Sequence, residues 1–145
     1  MRLLLLGATG TIGKAVAKVL LDHGYQVVCP VRQHADHQRG GDIAAESERL
    51  AGTDMRIGPA GTALITQLAA LQHERFDAIV SCLASRTGAP KDAWAVDYGM
   101  NSALLKLARQ AGIHHFVLLS AICVQKPLLA FQRAKLAFEQ ELIDS

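Results

Sequence analysis

A chain of 145 residues has room for one domain, and with 50% hydrophobic and 19% charged residues it carries enough apolar surface to offset the entropy of ordering, which excludes intrinsic disorder. Lys+Arg 15 against Asp+Glu 13 leave a formal charge of +2, too little for a surface built to neutralise many phosphates. Aromatics at 5% are too few for a base-stacking platform, so nucleic acid is not an expected partner.

Strand and helix signals alternate from end to end. Arg2–Leu6 is a short continuous apolar run stopped by Gly7, the pattern of a strand buried on both faces. Over residues 11–23, Ile12, Val16, Val19 and Leu20 fall at helical spacing, with Gly24 placed as a C-terminal stop. Gln26–Val31 is β-branched and apolar, predicting a second strand that ends at Arg32. Residues 33–41 are polar and glycine-bearing, hence a loop, and Asp42 as N-cap opens a short helix to about Leu50. Met55–Ile57 predicts a weak third strand, and Thr62 begins an amphipathic stretch through Leu64, Leu68 and Leu71. Asp77–Leu83 predicts a fourth strand, Asp92–Ala111 a long helix closed by Gly112, and His115–Ser120 a fifth strand. Pro127 suits the first turn of a last helix that carries Phe131, Lys135, Phe138 and Leu142 on neighbouring turns. Apolar strands joined by helices imply an α/β fold, a doubly wound parallel sheet (Rossmann fold) with right-handed crossovers. Such nucleotide-binding sheets usually have about six strands. About five are legible here, so one domain over 1–145, truncated or minimal, is expected.

The apolar start at Leu3–Leu6 is cut off by Gly7, too short for a signal-peptide core of about 7–15 residues. Lys14, Lys18, Asp22 and His23 then interrupt any membrane-length run, so a cytoplasmic protein without a membrane segment is expected. Cys29, Cys82 and Cys123 are far apart and sit in apolar, strand-like settings, which predicts three reduced, buried thiols. Neither they nor the six histidines have metal-ligand spacing, and no metal is expected.

The strongest chemical signal is Gly7-Ala8-Thr9-Gly10-Thr11-Ile12-Gly13, between the first strand and the first helix. In that setting Gly7 permits a tight turn, Gly10 lets the backbone approach a pyrophosphate, and Gly13 lets the helix pack close to the strand. Thr9 lies in the same loop, and the first-turn amides of Thr11, Ile12 and Gly13 point at the phosphates, aided by the helix dipole. An NAD site would place an acidic residue at the end of strand two to accept from the ribose 2′-hydroxyl. This chain has Arg32, whose guanidinium suits the 2′-phosphate of NADPH. After strand four, Leu83, Ala84 and Ser85 border the crevice, the two small residues leaving room for ribose and adenine.

The G-x-x-G-x-x-G spacing resembles the short-chain dehydrogenase/reductase superfamily, whose pattern pairs a strand-five serine with Y-x-x-x-K. Ser120 and Lys135 match those positions and are the catalytic candidates, with Lys135 also a candidate contact to the nicotinamide ribose. Phe131 stands where the tyrosine would be, so the usual acid for carbonyl reduction is missing. An acceptor that spreads negative charge over a conjugated system tolerates that loss best. The segment from Phe116 to Leu129 with Phe131-Gln132-Arg133-Ala134-Lys135, and Ser81–Gly88 with Asp97-Tyr98, resemble the divinyl (proto)chlorophyllide 8-vinyl reductases, atypical members of that superfamily. Gly58-Pro59 departs from the Gly-Asp of that family.

The resemblance implies NADPH as cofactor and a tetrapyrrole substrate, divinyl chlorophyllide or protochlorophyllide, whose 8-vinyl group is reduced to ethyl in (bacterio)chlorophyll synthesis. Family chains about twice this length are expected, so this chain should bind NADPH without turning over alone. In the wider superfamily the helices at Asp92–Ala111 and Leu128–Leu142 form a dimer surface, and a homodimer is expected on that ground. The rivals are a non-catalytic NADP-binding regulator or assembly factor, and an atypical reductase of flavins or phenylpropanoids.

Overall fold

The computed structural model describes residues 1–32, 43–58 and 73–145. In chain order the elements are β1 (Arg2–Leu6), α1 (Thr11–Asp22), β2 (Gln26–Arg32), α2 (Ile43–Arg49), β3 (Asp54–Gly58), β4 (Ala78–Ser81), α3 (Pro90–Ala93), a π-helical stretch (Trp94–Met100), α4 (Asn101–Gln110), β5 (His115–Leu118) and α5 (Ala130–Ile143). The five strands form one parallel sheet in the order β3-β2-β1-β4-β5. Strand order reverses between β2 and β4 on either side of β1, so a crevice opens beyond the C-terminal ends of β1 and β4.

The continuous apolar run of β1 is explained by its two covered faces. Leu4 and Leu6 pack with Val28, Ile79, Leu104 and Ala108 on the α4 side. Leu5 packs with Ala17, Val27, Cys29 and Leu50 on the side of α1. Met55–Ile57, weak by composition, lies within a full strand because β3 pairs with β2 along its length, from Val28–Asp54 to Arg32–Gly58. At the sheet end opposite the crevice, Arg2 lies over the Phe76 ring, 4.9 Å from its centroid, and pairs with Glu74. Glu74 also meets Arg56 at 3.1 Å, and Arg56 meets Asp54 at 2.6 Å, so the ends of β1, β3 and the approach to β4 are tied together.

Four expectations need correction. The long helix over 92–111 is interrupted by the π-helical stretch, which widens the turn that carries the buried Asp97. The last helix starts at Ala130, so Pro127 lies outside it. Its start is set by Gln132, whose Oε1 accepts from the amides of Leu128 and Leu129 (3.0 Å each) while Nε2 donates to the Ile122 carbonyl at 2.9 Å. β5 ends at Leu118 and the chain then turns, so Cys123 is exposed with φ +60°, whereas Cys29 and Cys82 are buried. Burial pushes the Cys29 thiol up to about 11 and raises that of Cys82. The loop at 33–41, the Asp42 cap and the Thr62 stretch lie outside the described residues. Among the described residues no helix is long and apolar enough to cross a membrane, and no group of three His, Cys, Asp or Glu could hold a metal ion.

Phe138 is 0% exposed and packs against Phe116 of β5 with ring centroids 5.5 Å apart, which docks α5 on the sheet. Phe138→Ala should lower unfolding free energy by about 3–5 kcal/mol in a urea titration, against little change for the exposed Leu128→Ala. The hydrogen bond from Arg2 holds the Glu74 carboxyl below its ordinary 4.5. Its contribution is therefore present above that pH and lost as pH falls through the folded value. Glu74→Gln should remove this part of the acid destabilisation, measured by unfolding at neutral and acid pH.

Candidate functional site

At the end of β1 the chain turns at Gly7 with φ +74°, and the Cys82 amide donates to the Leu6 carbonyl at 2.9 Å, closing the base of the crevice. A Cβ on Gly7 would lie 2.5 Å from the Cys82 carbonyl oxygen, and one on Gly13 would overlap the Gly7 carbonyl. These glycines are thus required by backbone crowding where the β4 exit, the turn and α1 meet. Gly10 N donates to the Gly7 carbonyl at 3.0 Å, and α1 opens from Gly10 without a side-chain cap or a first-turn acid. The first-turn amides of Thr11, Ile12 and Gly13 are left without intrahelical acceptors.

That turn forms one wall of a cleft of about 310 Å³. Of the residues singled out by sequence, Gly7, Thr9, Gly10, Arg32, Leu83, Ala84 and Ser85 line it. Thr11, Ile12 and Gly13 stand beside it on the first turn of α1. Arg32 reaches the cleft because it ends β2, paired in register with Gly58. Arg86, which sequence reasoning passed over, lines the same cleft; its one signal was a charge beside the small pair Ala84-Ser85. The residues fit a dinucleotide: the crowded glycines keep side chains out of the turn, and the uncapped amides offer donors to phosphate.

Lys135 and Ser120 are not among the residues lining this cleft. Lys135 is 3% exposed, so it is no solvated helix lysine. Its Nζ donates to the Leu83 carbonyl at 2.7 Å and the Leu119 carbonyl at 3.0 Å, and lies 3.5 Å from Asp97 Oδ1. It thereby joins the chain beyond β4 to the chain beyond β5. Burial pulls its ammonium below the usual lysine range, and Asp97 opposes that fall. Asp97, 1% exposed, accepts from the Ser85 amide through Oδ2 at 3.3 Å. Asn101 donates from Nδ2 to the Asp97 carbonyl at 2.9 Å and accepts from Ser81 Oγ at 2.6 Å. The Ser120 hydroxyl donates to Glu139 on α5. Asp97, Asn101 and Glu139 drew no role from sequence, since their contacts to Ser85, Ser81, Ser120 and Lys135 span 12 to 38 residues. Phe131, half-buried one turn before Lys135, offers no acid.

Residues 3–141 match the NAD dependent epimerase/dehydratase family. The chain is 42% identical over 149 residues to a chloroplastic divinyl chlorophyllide a 8-vinyl-reductase of Cucumis sativus, covering 99% of this chain and 34% of the relative. It is 30% identical over 125 residues to the photosystem II assembly factor Ycf39 of Guillardia theta, covering 86% of this chain and 36% of that protein. Among solved structures it superimposes with a TM-score of 0.75, at 23% identity, on a UDP-glucose-4-epimerase from Stenotrophomonas maltophila with bound NAD and formylated UDP-arabinopyranose, over 99% of this chain and 48% of that one. The chain spans about a third of the length of the curated relatives it matches, so the expectation of relatives only twice as long was too low.

Asp97→Asn would leave the buried Lys135 ammonium without its counter-charge and should lower stability at neutral pH by about 3–5 kcal/mol; adding Lys135→Met should restore most of it. Because the folded pKa of Lys135 lies below its ordinary 10.5, stability gains as pH rises from the folded value toward 10.5. Lys135→Met should abolish that gain in urea unfolding followed against pH.

Proposed function

The chain belongs to the NAD dependent epimerase/dehydratase family, and from that premise we propose that it binds NADPH and serves the reduction of the 8-vinyl group of divinyl chlorophyllide or protochlorophyllide to ethyl. The observation that carries the cofactor half is the uncapped glycine turn sharing one cleft with Arg32, where an NAD site would carry an acid. The pigment half is supported by the 42% identity to the Cucumis sativus reductase along 99% of this chain. Bound NADPH supplies a hydride.

The chain's own residues hold and orient. Gly7, Thr9 and Gly10 with the amides of Thr11, Ile12 and Gly13 cradle the pyrophosphate, Arg32 meets the 2′-phosphate, and Leu83, Ala84 and Ser85 flank the adenosine. Lys135 is a positioning residue, fixing the backbone of Leu83 and Leu119 on the crevice side of the sheet. Ser120, bonded to Glu139 just beyond the exit of β5, is assigned to the substrate-reducing end as its candidate polar group. Phe131 in place of a phenol suits an acceptor whose charge is delocalised into a macrocycle and whose proton comes from water.

A second function, a non-catalytic NADP-binding assembly factor, is favoured by the similarity to the Guillardia theta protein. Replacing the matching segment of the Cucumis sativus reductase with this chain separates the two: vinyl reduction survives if the chain is a reductase segment and is lost if it is an assembly factor. For the cofactor, NADPH at a hundredfold excess over Kd should stabilise the chain by about 2.7 kcal/mol. NADH at the same concentration should do less, and Arg32→Glu should reverse that order in thermal unfolding. Equal shifts from both nucleotides would remove the role given to Arg32.

A further inference from the structure

Arg86 is the charged group of the cleft that the cofactor assignment above leaves unused. It lines the same space as Arg32, both are exposed, and among the described residues neither makes an ion pair. The backbone on either side of Arg86 is pinned. Ser85 N donates to Asp97 Oδ2 at 3.3 Å, and Thr87 donates from N and Oγ1 to Asp92 Oδ2 at 3.0 and 2.8 Å. Ala89 N in turn donates to Thr87 Oγ1 at 3.2 Å. Asp92 is thus committed chiefly to this turn, where it also takes a hydrogen bond from the Arg86 backbone and lies within electrostatic reach of Arg32 without a close ion pair to either guanidinium.

We propose that Arg86 binds the same 2′-phosphate as Arg32, so that the nucleotide is clamped between a guanidinium from the end of β2 and one from the loop after β4. The proposal rests on the NADPH assignment above and adds to it a second specificity-determining residue. Two like charges that line one cleft, with Asp92 near Arg32 as only a partial offset, repel each other, and a phosphomonoester of nearly two negative charges relieves that repulsion where the singly charged phosphates of a pyrophosphate would do so less. The pyrophosphate already has donors of its own, the uncapped amides of α1. Because its loop is held at both flanks, Arg86 loses little backbone freedom on binding, which favours a bidentate contact.

The test is calorimetric titration of the wild-type chain, Arg86→Gln and Arg32→Gln with NADPH and with NADH. Loss of a charge-assisted hydrogen bond predicts NADPH affinity weakened about tenfold or more by Arg86→Gln. NADH affinity should be unchanged, which also reports that the variant is folded. A loss equal for both nucleotides, or no loss for NADPH, overturns the clamp. If wild type prefers NADPH and only Arg32→Gln removes the preference, Arg86 alone is reassigned. If wild type binds the two nucleotides equally, the 2′-phosphate site itself fails and the clamp with it.

Discussion

The close approach of three backbone segments at Gly7 governs the rest of this molecule. The Gly7 carbonyl accepts from Gly10 at 3.0 Å and sits where a Cβ on Gly13 would be, while a Cβ on Gly7 itself would run into the Cys82 backbone beyond β4. A side chain at Gly13 would push α1 off the turn, and one at Gly7 would push the turn off the exit of β4; either would shift the uncapped first-turn amides relative to the cleft. Packing and binding therefore share one constraint: the crowding that anchors α1 on the sheet also aims its positive end at the crevice.

A second brace works on the far side of the same crevice. The buried Lys135 ammonium joins the Leu83 and Leu119 carbonyls, with Asp97 beside it. A buried ammonium is costly to desolvate, and the carbonyl bonds with the Asp97 charge offset that cost. Asp97 reaches this place because the helical path widens between Trp94 and Met100, and its other oxygen holds Ser85, a cleft residue. The brace and the cleft wall are coupled twice, through the Asp97 carboxylate to Ser85 and directly through the Leu83 carbonyl.

The cofactor assignment and the substrate assignment stand on different supports. The glycine turn and Arg32 are geometry, present on the cleft and explicable by charge and crowding. The pigment enters through similarity to longer relatives of which this chain matches about a third. Phe131 is the one local residue that bears on the acceptor, and it does so by lacking an acid.

Local patterns carried much of the architecture. Apolar runs and helical spacing gave β1, α1 and β2 within a residue or so, because each is decided by contacts that repeat along its own length. The glycine loop was equally legible, since its demand for small residues is written in consecutive positions. The misplaced features are those set by distant partners. The start of α5 depends on Gln132 reaching the Ile122 carbonyl, and the exposure of Cys123 depends on β5 ending at Leu118. The burial of Lys135 depends on a carbonyl 52 residues away. By itself the sequence determined an alternating α/β chain with a phosphate-facing turn and a cation one crossover away. Only the tertiary structure decided that Lys135 is an internal brace, that Asp97 serves two groups, and that Arg86 joins Arg32 on one cleft, because contacts between residues far apart in the chain leave no periodic trace along it.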